Sequence, residues 1–246
     1  MIDGAFKTKA SVKRFKHNNI EHLKTLLNTK NAPSNKLIAS EGVFSMDGCQ
    51  AKVSELATAA KNNDAWLYLD DAHSIGVIGN EGQGSNSFAN IDITMATMGK
   101  AFATGGALLV CNKELHEYLV NFSRHYIYST AISPAMAWAS KTSIELIKTE
   151  QWRRDKIIEL SALFTRLLDS HIEVITTHSS IHAIVIGDEQ KTIQVSESLK
   201  RQGFWVTPIR PPTVAVNSSR LRVTICADHS VIDINNLSES INKALA

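Results

Sequence analysis

Apolar positions recur at helical spacing in IEHLKTLLNT (20–29), where Ile20, Leu23, Leu26 and Leu27 share a face. The pattern also predicts helices over VSELATAAKNN (53–63), KELHEYLVNF (113–122) and the AMAWASKTSIELIKT that follows Pro134. Between them stand short apolar runs of strand length: KLIAS (36–40), AWLYLDD (65–71), DITMATM (92–98) and GALLVCN (106–112). AWLYLDD is apolar throughout, which predicts a strand in a sheet covered on both faces. Strands alternating with helices predict a mostly parallel α/β sheet, whose strand ends and following loops are the usual place for a site.

The pattern shifts near residue 150. QWRRDKIIELSALFTRLLDS (151–170) predicts a long helix with Trp152, Ile157, Leu160, Leu163 and Leu167 roughly on one face. Strands EVITTH (173–178) and IHAIVIG (181–187) follow, then helix KTIQVSESLKRQG, strands FWVTPIR and RLRVTIC, and a last helix DINNLSESINKALA. The predicted organisation is a larger α/β lobe over 1–150 and a smaller α+β lobe over 151–246.

Composition narrows the partners. The 246 residues carry a net charge of +2, with 43% hydrophobic and 20% charged residues. Neither a basic field for nucleic acid nor a dense Lys/Arg cluster for a membrane surface is present. Cys49, Cys111 and Cys226 are odd in number and contain no CxxC, so they read as reduced thiols in the cytoplasm. No apolar run approaches the ~20 residues of a membrane span. The opening MIDGAFKTKASVKRF lacks an apolar signal core and reads as entering an element already under way.

Two stretches could carry chemistry. LYLDDAHSIGVIGNEGQG (67–84) places Asp70, Asp71 and His73 where an apolar strand meets a glycine-rich loop. A continuing strand points the two aspartates to opposite sides, so only one can join His73. As a metal site the set is too thin, and the plain alternative is a loop-capping aspartate beside a solvated histidine. TMGKAF (97–102) sets Lys100 among small, apolar neighbours. A P-loop is excluded, because no glycine stands five residues before the Gly-Lys pair and no Ser/Thr follows it. One reading is a lysine snorkelling to water; the other is an amine whose pKa is lowered by crowding, able to form a Schiff base. A lysine and a strand-end carboxylate together are what a pyridoxal cofactor requires, one for the carbonyl and one for the pyridine nitrogen.

The motifs EGVFSMDG (41–48), LDDAHSIGVIG (69–79), TMGKAF with GG (97–106), YSTAISP (128–134), FWVTPIRPPTV (204–214) and SRLRVT (219–224) occur in one order. In that order the chain resembles the α-oxoamine synthases, pyridoxal-phosphate enzymes of aminotransferase fold type I. They condense an amino acid with an acyl thioester and release carbon dioxide. The IRPPTV stretch is most similar to the members that join L-alanine to a pimeloyl thioester in biotin synthesis, rather than to the glycine-using ones.

The resemblance implies a partial fold of that type: an incomplete, mostly parallel large domain and a C-terminal α+β small domain. It implies pyridoxal 5'-phosphate as cofactor and no metal. Lys100 would hold the cofactor and move the substrate α-proton, and Asp70 would pair with the pyridine nitrogen while Asp71 faces away. His73 and Ser45 would hydrogen-bond the phenolic oxygen, and Thr97 the phosphate. Ser129 or Thr130 would reach the phosphate of a neighbouring subunit in a homodimer. Arg222 would grip the amino-acid carboxylate, and Arg210 would help bind the acyl substrate. Arg220 shares the face of Arg222, and for all three arginines surface charge is the plain alternative. Relatives extend well beyond Met1, with a histidine that stacks on the ring and part of the acyl-binding wall. The chain is therefore expected to be an enzyme, alone or completed by a further piece; the alternatives are a catalytically incomplete remnant or another α-oxoamine synthase such as a glycine-using acyltransferase.

Overall fold

The computed structural model describes residues 2–29, 35–175 and 177–246. One unit comprises residues 1–42, 51–79 and 83–145, and a second comprises residues 43–50, 80–82 and 146–246. The first contains α1 (Ile2–Phe6), α2 (Ile20–Leu27), β1 (Lys36–Glu41), α3 (Val53–Asn62), β2 (Ala65–Asp70), a 3-10 turn (Gly84–Ser87), β3 (Ile93–Thr97) and β4 (Ala107–Cys111). Helices α4 (Lys113–Phe122), α5 (Arg124–Ile127) and α6 (Pro134–Thr149) follow, the end of α6 being counted with the second unit. Asn19 caps α2 by accepting a hydrogen bond from His22 N at 2.8 Å, and Asn112 caps α4 through Leu115 N at 2.9 Å.

The sheet runs in the order β1-β2-β3-β4. The first three strands are parallel and β4 is antiparallel to β3, so the expected mostly parallel sheet is present. The double cover expected over 65–71 is not. Ala65, Leu67 and Leu69 are buried, whereas Trp66 is 47% exposed and stands opposite Leu37, itself 59% exposed. Successive strand side chains point to opposite faces. The buried face of β2 is met by α3, whose Val53, Leu56, Ala59 and Ala60 recur at helical spacing and are all buried.

The second unit contains α7 (Gln151–Leu167), β5 (Ile181–Gly187), α8 (Glu189–Arg201), β6 (Thr207–Ile209), β7 (Ser219–Thr224) and α9 (Val231–Leu245). Its sheet is antiparallel in the order β5-β7-β6. Leu160, Phe164, Ile184, Leu199, Leu221, Ile234 and Ile241 form its closed core. Helix α9 starts in a capping box between Ser230 and Asp233.

Three expectations change here. The stretch 173–178 makes one bridge, Val174 to Ile184, rather than a strand, and Thr176 lies outside the described residues. Only Thr207–Ile209 of FWVTPIR pairs, at the sheet edge where Pro208 need not donate. On α7 the buried positions are Arg154, Leu160 and Phe164, while Trp152 is 53% exposed. Burial of Arg154 is satisfied by donation to the carbonyls of Ile147 (2.5 Å) and Asn80 (2.7 Å) and to Gln151 Oε1. Among the described residues no helix is long and apolar enough to cross a membrane.

Candidate active site

Parallel pairing of β2 with β3 brings their C-terminal ends together, and these ends carry Asp70 and Thr97. The chain turns immediately after β2. Ala72 N donates to Asp70 Oδ1 at 3.1 Å, and Ser74 N and Ile75 N both donate to the Asp71 carbonyl at 3.0 Å. This turn presents His73. After β3 a second loop is closed by Met98 N donating to Gly106 O and Thr104 N to Met98 O, at 2.9 and 2.8 Å. The Thr104 hydroxyl lies 2.9 Å from Ser140 Oγ of α6. This loop presents Lys100. The two loops meet: Lys100 Nζ lies 2.8 Å from His73 Nε2.

The crowding expected around Lys100 from its small neighbours is absent, because the residue is exposed. What meets its amine is an imidazole. Asp71, expected to be the neighbour that faces away, is wholly buried and accepts hydrogen bonds from Ser85 through both carboxylate oxygens. Burial raises its pKa, and the Ser85 hydrogen bonds oppose that rise. Ser129 and Thr130 lie on an exposed stretch, and the Ser129 hydroxyl is turned back onto the His125 carbonyl.

Other candidates belong to the second unit. Residues 43–50 form a tight hairpin, with Phe44 N donating to Cys49 O at 2.9 Å and Gly48 N to Phe44 O at 2.8 Å. The Ser45 carbonyl accepts from Arg222 Nη1 at 3.2 Å. Arg222 Nε is buried and has no hydrogen-bond partner among the described residues. Arg220, two residues away on β7, spends its Nε on the Ser218 carbonyl at 3.1 Å. These partners distinguish two arginines that alternation alone leaves equivalent. Arg210 Nη1 pairs with Glu189 Oε1 at 3.1 Å, both side chains being about half exposed.

Sequence reasoning missed Asp71, Ser85, Gly42 and Gly84 as one group. The glycines of EGVF and GQGS were its visible signal, but no local pattern shows that residues 42, 71, 84 and 85 meet.

A family model described as aminotransferase class I and II matches residues 1–241. The chain is 45% identical over 246 residues to 8-amino-7-oxononanoate synthase of Aliivibrio salmonicida, covering 99% of itself and 64% of that relative. It thus spans somewhat less than two thirds of that relative's length. Among solved structures, 8-amino-7-oxononanoate synthase from Francisella tularensis is similar with a TM-score of 0.85 and 28% identity, over 98% of this chain and 71% of that one. A high-resolution structure of SPT with PLP internal aldimine is similar with a TM-score of 0.90 and 28% identity, over 99% of this chain and 63% of that one.

Proposed function

The chain belongs to the aminotransferase class I and II family, and from that premise we propose that it is the part of an 8-amino-7-oxononanoate synthase that holds pyridoxal 5'-phosphate and the amino-acid substrate. The reaction is decarboxylative condensation of L-alanine with a pimeloyl thioester, carried by coenzyme A or a carrier protein, in a cytoplasmic homodimer. The curated relative's name supports the product, 8-amino-7-oxononanoate, and the PLP-bound neighbour supports the cofactor. The observation that carries the reading is the 2.8 Å contact between Lys100 Nζ and His73 Nε2 at two neighbouring strand ends, one of which also bears Asp70.

The residues fit the cofactor by their chemistry. They offer a primary amine for the carbonyl, a carboxylate for the ring nitrogen, an imidazole for the phenolic oxygen and the Thr97 hydroxyl for the phosphate. When bound, the cofactor supplies an electron sink for the carbanion that forms beside the amino group. Lys100 would hold the cofactor through Nζ, and the same amine would take the α-proton of alanine and later return it. Asp70 keeps a proton on the pyridine nitrogen. His73 and Ser45 orient the ring through its phenolic oxygen. Arg222 binds the alanine carboxylate, its Nε having no partner among the described residues. Ser129 or Thr130 reaches the phosphate of the partner subunit's cofactor, and Arg210 contributes to the acyl site.

Borohydride reduction in the presence of pyridoxal 5'-phosphate, followed by peptide mass spectrometry, tests the reading. The expected product is a pyridoxyl group on Lys100, absent in Lys100→Ala. Modification at another lysine, or at none, sinks it. Solvent exchange of the α-proton, measured for alanine, glycine and serine, tests the amino acid, and the expected order places alanine first.

A further inference from the structure

Asp71 is a fully buried carboxylate that the proposed chemistry does not use. Its Oδ2 accepts from Ser85 N at 2.8 Å and its Oδ1 from Ser85 Oγ at 2.5 Å. Two glycines make room for it. A Cβ on Gly42, just after β1, would lie 2.1 Å from Oδ1 and 2.2 Å from Ser85 Oγ. A Cβ on Gly84 would lie 2.1 Å from Oδ2, and Gly84 also has φ +66, which disfavours any other residue. The backbone of the same residue is tied at both ends: its N–H donates to Met95 O of β3 at 2.8 Å, and its carbonyl accepts from Ser74 and Ile75. Asp71 therefore joins β3, the turn carrying His73 and the start of the 3-10 turn through one side chain and one peptide unit.

We propose that Asp71 is a positioning residue: a buried carboxylate clamp, closed by Ser85 and admitted by Gly42 and Gly84, that fixes the 71–75 turn so that His73 Nε2 meets Lys100 Nζ. The inference deepens the reading of Lys100 as the reactive amine and rests on it for its purpose. Asp71 acts through His73 and touches neither cofactor nor substrate. Buried hydrogen-bonded groups of this kind fix geometry because leaving any one of them unpaired is costly.

The test needs no cofactor. Competitive labelling of the chain with acetic anhydride, read by mass spectrometry, gives the reactivity of Lys100 relative to Lys52 and Lys141. H73A is expected to change the Lys100 rate several-fold. D71N, with its fold checked by circular dichroism, is expected to reproduce most of that change, and the double variant D71N/H73A to add little, as two links of one path require. A folded D71N with the parental Lys100 rate overturns the proposal, and so does an H73A that leaves that rate unmoved. Should D71N not fold, S85A decides, because it removes the Oγ bond and leaves the backbone bond. A partial change in Lys100 reactivity supports the clamp, and a folded S85A without one overturns it. Failure of borohydride trapping at Lys100 would remove the cofactor assignment while leaving these rates to be judged alone.

Discussion

The sheet of the first unit and the sheet of the second treat their apolar residues differently. Around β5 and β7, Leu160, Phe164, Ile184, Leu199, Leu221 and Ile241 are all sealed from solvent by the unit's own helices. On β4, Leu108, Leu109 and Val110 stay 42–59% exposed, and Tyr126, Tyr128, Ile132 and Trp138 are exposed beyond it in sequence. The second unit finishes its own core, while the first carries Lys100 beside a sheet whose last strand keeps much of its apolar surface uncovered. Large-to-small changes are costly where they leave a cavity and cheap where solvent already reaches.

Phe164→Ala in the closed core is therefore expected to cost about 3–5 kcal/mol in denaturant unfolding. The same truncation at exposed Leu109 is expected to stay within about 0.5 kcal/mol. Equal losses at the two positions would break the comparison. A smaller effect concerns acid. His182 is buried edge-on to Phe164 with ring centroids 5.5 Å apart, and neither ring nitrogen has a hydrogen-bond partner among the described residues. Burial lowers its pKa from 6.5 to about 4. The unfolded chain then binds this proton more tightly than the folded one. Stability is whole above pH 6.5 and falls as the pH drops toward 4, by about 3 kcal/mol at most. Melting followed between pH 7 and 4 is expected to show this slope, and His182→Leu to flatten it. The smallest effect belongs to Arg210 and Glu189, a half-exposed pair. Arg210→Ala is expected to change stability by less than about 1 kcal/mol, so that any larger effect on acyl-substrate KM can be assigned to binding.

Much of the fold was legible because the relevant signals are local. Ile20 and Leu23, Val53 and Leu56, and the strand runs at 36–40 and 92–98 lie where period and length put them. The failures come from side-chain direction and from tertiary contacts. Trp66 and Trp152 counted as core by hydrophobicity, yet direction on a strand or helix overrides type, and each points to solvent. Residues 173–178 have strand composition, but among the described residues there Val174 makes only an isolated bridge, to Ile184. Arg154 reads as surface charge, and becomes buried because carbonyls of residues 80 and 147 converge on it.

The candidate site divides in the same way. Lys100, Asp70, His73 and Arg222 could be named from residue type, order and resemblance, since each chemistry demands a particular side chain. Which groups touch was decided by tertiary structure alone. Parallel registration of β2 and β3 sets the loops that bring an imidazole to 2.8 Å from the lysine amine. Different local partners separate Arg222 from Arg220. A cradle of two glycines and a serine holds the buried Asp71 carboxylate, a grouping visible only in the folded chain. Chain order specifies which functional groups exist, whereas contacts between residues far apart in sequence depend on strand pairing and close packing, which no local pattern encodes.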